Sequence, residues 1–120
     1  MVAKTKNFNP EIDLMLKCSA TGKCEIKQWA LDKLQSIRDD YKKPMVINSG
    51  YRDPSHPVEA KKKQGGQHTK GVAFDIAIYS SVDAFRLVEL AIKHGASGIG
   101  VSQSFIHIDF RDSKQVLWTY

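Results

Sequence analysis

The sequence predicts a small α+β domain, an antiparallel sheet with helices packed on it. Three observations predict it. Apolar residues recur at helical spacing in two separate stretches, 25–41 and 81–92. Two others, 72–78 and 105–110, alternate between bulky apolar residues and small, acidic or imidazole ones. The last third of the chain reads as consecutive short strands, which favours a sheet carrying helices over a doubly wound fold. The 120 residues fit one domain spanning 1–120 and are enough to bury a core without staples.

Each element follows in order. A short turn or helix is expected around 10–16, leading into the cysteine loop "KCSATGKC". From Glu25 to Tyr41 the apolar positions Ile26, Trp29, Ala30, Leu34, Ile37 and Tyr41 form one helical stripe between charged residues. Pro44 stops that helix, and "MVINS" reads as a short strand. Residues 50–67, rich in Gly, Pro and Lys, read as a long loop of the kind that is usually functional. The strand "VAFDIAI" follows. Ser80 can cap the next helix, and Asp83 suits its positive end. That helix carries Phe85, Leu87, Val88, Ala91 and Ile92 and stops at Gly95. "GIGV", "SFIHIDF" and "QVLWT" are the closing strands.

Composition narrows the function classes. No apolar run approaches the ~20 residues that cross a bilayer, and the N-terminal stretch lacks the pattern of a secretory signal, so a membrane partner is not expected. The net charge of +5 favours anionic partners, although a charge of this size also serves plain solubility. The lysines at 61–63 have no interleaved aromatic residues, which argues against a base-stacking nucleic-acid platform. Cys18 and Cys24 cannot close a zinc site alone and read as free thiols or one optional bridge.

The two alternating strands carry the chemistry. In 72–78, Val72, Phe74, Ile76 and Ile78 share one face, leaving Asp75 between Ala73 and Ala77 on the other. In 105–110, Ile106, Ile108 and Phe110 share one face, and Phe105, His107 and Asp109 the other. If the strands are neighbours, His68, Asp75, His107 and Asp109 converge. Taken one at a time, a strand Asp or His is more often a satisfied polar residue than a ligand. Two histidines with a carboxylate converging from two strands is a set zinc favours, with a fourth position left for water.

At these residues the chain resembles a family. "GGQHTKGVAFDI", followed by "FIHIDFR" and preceded by "INSGYRDP", resembles the zinc-dependent peptidoglycan peptidases of the M15 class. These are D-alanyl-D-alanine carboxypeptidases and phage endolysin L-alanyl-D-glutamate endopeptidases, which share a fold with the hedgehog signalling domain. The likeness spans roughly 45–112, and its H-x-x-G-x-A-x-D element is met by His68, Gly71, Ala73 and Asp75. The resemblance implies a hedgehog-like fold with zinc held by His68, Asp75 and His107. It implies that Arg52 faces the scissile carbonyl as an oxyanion stabiliser. Ser49, Tyr51 and Gln67, beside Arg52 and His68, are the expected substrate contacts.

The chain also departs from that family. Many relatives have serine where Gln67 stands, and several have an acidic general base where Ser104 stands. Asp109 is then the expected base, sharing a strand face with His107. An alternative makes Asp109 the third ligand and His107 the base, and a further one makes Asp109 a support for a ligand. The implied activity is zinc-dependent hydrolysis of an amide in peptidoglycan stem peptides by a monomer, made in the cytoplasm and acting on the cell wall after release. His56 is expected to be an exposed loop residue. A non-catalytic zinc-bearing wall-binding module of the same fold stands as the second function class.

Overall fold

The computed structural model describes residues 2–60 and 66–120; the lysines at 61–63 lie outside the described residues. Its order is a 3-10 turn at Leu14–Leu16, then α1 (Gln28–Tyr41), β1 (Ile47–Ser49), α2 (Pro57–Ala60), β2 (Ala73–Ala77), α3 (Ser81–Lys93), β3 (Gly98–Val101), β4 (Phe105–Asp109) and β5 (Val116–Thr119). The strands form one sheet in the order β1-β2-β4-β3-β5. The fold class is α+β as the sequence predicts.

One sheet face is the core. Phe74, Ile76, Ile106 and Ile108 have no solvent exposure, and Ile47 and Ile99 join them. Leu87, Leu90 and Ala91 of α3 and Ala30, Leu31, Leu34 and Ile37 of α1 complete the same apolar cluster. Burial of this kind is the main stabilising force. Three expected stripe residues turn outward instead. Phe85 and Ile92, seven apart, lie on the solvent side of α3, and Trp29 is 48% exposed on α1. A helical stripe is wider than the row of residues that reaches the core, so its margins stay in water.

The helix ends follow local chemistry. Ser80 caps α3 by accepting from the Asp83 amide, and Asp83 also pairs with Lys43. Lys42, with φ of 61°, turns the chain out of α1 ahead of Pro44.

Two expectations are corrected. The sheet is mixed: β5 runs parallel to β3, with Gly98 opposite Val116 and Gly100 opposite Trp118. β3 and β4 form a tight antiparallel pair, and the chain then crosses back over 110–115 to the free edge of β3. The 50–67 segment is also not all loop. Pro57 opens the short helix α2, and His56, half-buried rather than exposed, accepts from the Val58 amide at its start. Among the described residues, no helix is long and apolar enough to cross a membrane.

Candidate metal centre

β2 and β4 are antiparallel neighbours in the register Ala73↔Asp109, Phe74↔Ile108, Asp75↔His107 and Ile76↔Ile106. Side chains opposite one another share a face, so the pairing that buries four apolar residues also sets Asp75 against His107. The third member comes from a turn. Gly66, Gln67 and His68 enter it, and Gly71 closes it with φ of +76°. A Cβ on Gly71 would lie 2.2 Å from the Glu25 carbonyl, so glycine is required both by backbone sign and by close approach.

His68, Asp75 and His107 are all buried, and one donor atom from each lies within 4.8 Å of the others. The two rings meet edge to face with centroids 5.1 Å apart. The neighbouring bonds fix which nitrogens are free. His68 Nδ1 donates to the Gly50 carbonyl at 2.7 Å, which leaves Nε2 facing Asp75 Oδ1 at 3.3 Å. His107 Nε2 bonds Asp109 Oδ2 at 2.7 Å, which leaves Nδ1 facing the same Asp75 oxygen at 2.9 Å.

One carboxylate oxygen is therefore approached by two ring nitrogens, each tied to an acceptor through its other nitrogen. Bare nitrogen lone pairs repel a carboxylate oxygen, so a positive charge must sit among the three. Protons can supply it, and so can one metal ion. The donor set, two imidazoles and a carboxylate, fits zinc. Burial opposes ionisation of Asp75, yet its bonds to His107 and then His68 outweigh that and hold it well below the usual carboxylate range. Burial likewise disfavours a charged His107, but Asp109 and Asp75 on its two sides raise its pKa.

Asp109 stands at the far nitrogen of the His107 ring, with no exposure. Arg111 grips it in a fork, Nε to Oδ1 at 2.9 Å and Nη2 to Oδ2 at 2.7 Å. Burial pushes this carboxyl up, but Arg111 and His107 overcome it and hold its pKa down at about 2.

Arg52 borders the cluster from the other side. Its Nη2 lies 3.6 Å from Asp75 Oδ2, Nη1 3.4 Å from Glu59 Oε2, and Nε donates to Ser49 Oγ at 3.2 Å. Arg52 and Gln67 line a cavity of about 430 Å³ over His68, Asp75 and His107. Ser49 stands behind Arg52, opening on a separate small cleft. Tyr51 does not line the cavity. It is buried in the core with its hydroxyl donating to Glu25 at 2.7 Å, so the expected substrate contact gives way to a packing role. Ser104 is exposed on another cleft, and among the described residues Asp75 is the only carboxylate lining this cavity. Cys18 and Cys24 are free thiols away from it.

Sequence reasoning missed Trp118, Arg111 and Tyr120. Trp118 lies 5.1 Å from the His107 ring, the Arg111 guanidinium covers the indole at 5.2 Å, and Phe105 pairs with Tyr120 at 5.0 Å to form the outer wall. The signal that could have found Trp118 is the pair of glycines in "GIGV". Gly98 and Gly100 face Asp109 and His107, and a Cβ on either would meet Asp109 at 2.3 Å or Trp118 at 2.6 Å. Glycines two apart on the face of a functional strand mark space that neighbouring side chains occupy.

No curated protein matches the chain. A family model does: that of Peptidase M15 matches residues 6–109, a span that holds Arg52, His68, Asp75, His107 and Asp109 and stops short of Arg111 and β5. The match covers most of the sequence and the whole His-Asp-His cluster, and on it the chain belongs to the peptidase M15 family of metallopeptidases.

Proposed function

We propose that the protein hydrolyses an amide bond in the stem peptides of peptidoglycan, with zinc held by His68, Asp75 and His107. The observation that carries the reading is the convergence on one Asp75 oxygen of two ring nitrogens whose partner nitrogens are already bonded. When bound, zinc supplies a Lewis acid that acidifies water and polarises the scissile carbonyl. His68 offers Nε2, His107 offers Nδ1, and Asp75 brings the one negative charge. Arg52 lies beside that carboxylate at the cavity wall, where its guanidinium holds the negative oxygen that develops as the amide is attacked. Gln67 contacts the substrate from the turn, and Ser49 orients Arg52 rather than touching the substrate.

Asp109 takes the role of a support. It holds the His107 ring in one tautomer and adds negative charge behind it, as carboxylates behind metal-bound histidines do. The shared strand face suggests a general base, but the imidazole stands between Asp109 and the cluster. The peptidoglycan is met from outside the cell's membrane in this reading, with a protein acting as a monomer on the wall.

Purified protein incubated with peptidoglycan should release new amino groups. Chelator should abolish the release and added zinc should restore it. Asp75 is the only carboxylate lining the cavity among the described residues, and this favours a second reading, a zinc-bearing wall-binding module. Metal-dependent binding to peptidoglycan with no release of amino groups would establish that reading instead.

A further inference from the structure

A second cavity adjoins the one over the metal cluster. At about 720 Å³ it is the larger of the two. Gln67 and Arg111 line both, so the cavities meet across these side chains, and an extended ligand over the cluster runs on into the second.

The lining of this cavity combines an apolar floor with a cationic rim. Val72 and Phe110 are buried beneath it, and the half-exposed Trp29 indole stands edge-on to Phe110 at 6.4 Å. Lys70 projects from the turn that carries His68 and has no ion-pair partner among the described residues. Arg111 commits Nε and Nη2 to Asp109, which leaves Nη1 for another acceptor. Lys33 stands close by, over the Phe110 ring at 5.6 Å. One carboxylate, Asp112, lines the cavity as well, so cations outnumber anions around it.

None of these groups touches the candidate ligands except through Arg111 and Asp109, so holding the metal does not explain them. A flat apolar indole beside the Lys70 ammonium and the one uncommitted nitrogen of Arg111, in a concave site, is suited to a ligand with a carboxylate and a covered apolar face. We infer that this cavity is a subsite for a carboxylate-bearing arm of the substrate, placed beyond the bond that is cut, with Lys70 and Arg111 taking the carboxylate and Trp29 packing on the arm. The identity of the arm as peptidoglycan peptide rests on the function proposed above; the carboxylate-binding subsite rests on the cavity itself.

The test compares two soluble disaccharide-peptide fragments of peptidoglycan, one with free carboxylates and one with the same groups amidated. Binding of each labelled fragment is read by fluorescence anisotropy, on zinc-loaded protein and again with chelator. The unaltered protein should prefer the free-carboxylate fragment. Lys70→Gln should weaken that fragment about five-fold, the loss of one partly exposed ion pair, and leave the amidated one unchanged. Trp29→Ala should weaken both; both variants should keep metal content, and Lys70→Gln should also keep the melting temperature. Equal affinity for the two fragments, or a Lys70→Gln loss that is the same for both, overturns the subsite. Fragments bound with this charge preference but never cleaved would overturn the proposed hydrolase activity and leave the subsite standing.

Discussion

His107 is the residue on which the site turns, because both of its ring nitrogens are engaged: Nδ1 at Asp75 and Nε2 at Asp109. Removing the rear partner should loosen the ring without removing a ligand. Asp109→Asn is expected to weaken zinc affinity about 10- to 100-fold while a stoichiometric ion still binds at high zinc. Competition with a chromogenic chelator measures this, and unchanged affinity would return Asp109 to a direct role in proton transfer. Arg52→Ala should instead leave zinc affinity alone and cut turnover on the order of 100-fold or more, the usual cost of losing an oxyanion donor. Asp75, His107 and Asp109 were legible on the alternating strands, since a period of two assigns faces without any tertiary knowledge, whereas His68 stands in the turn before β2 and was reached through its spacing to Asp75. Tyr51 was not. Its neighbours Gly50 and Arg52 both serve the site, one by its carbonyl and one by its side chain, yet the intervening side chain points into the core. An irregular segment has no period from which to read direction.

Elements contribute by closing space around these residues, and β5 shows how. It lies parallel on β3 and brings Trp118 against His107, in room that exists because residue 100 has no side chain. A methyl group there would stand 2.6 Å from the indole nitrogen. Gly100→Ala should therefore destabilise by about 1–3 kcal/mol through overpacking. The double variant with Trp118→Ala should lose less than the two single losses added together, because the clash disappears with the indole. Thermal melts of the four proteins provide the cycle, and strict additivity would show that the two residues do not compete for space. The strand itself was legible as "QVLWT", but its direction was not. Strand spacing suggests hairpins, and only the pairing of β3 with β4 leaves the edge that a parallel strand can fill.

At the scale of the molecule, the His68–Asp75–His107 cluster ties together β2, β4 and the 66–71 turn, so its protonation bears on global stability. In the metal-free protein Asp75 has a lowered pKa, so its contribution is present above the ordinary carboxylate value of about 4 and is lost as pH falls below it. His107 has a raised pKa, so its contribution is full below the ordinary imidazole value of about 6.5 and is lost as pH rises through its folded value. The stripped protein should accordingly be most stable between these limits and weaken toward alkaline pH. Zinc held by these residues would take the place of the proton at Nδ1, and its affinity would grow as protons cease to compete. A hundred-fold excess of zinc over its Kd adds about 2.7 kcal/mol, on the order of 10 °C for a chain of this size. The melting temperatures of zinc-loaded and stripped protein should thus diverge as pH is raised from about 5 to about 8. Curves that stay parallel over that range would mean that no proton is displaced from His107 and that the ion, if bound, is held elsewhere.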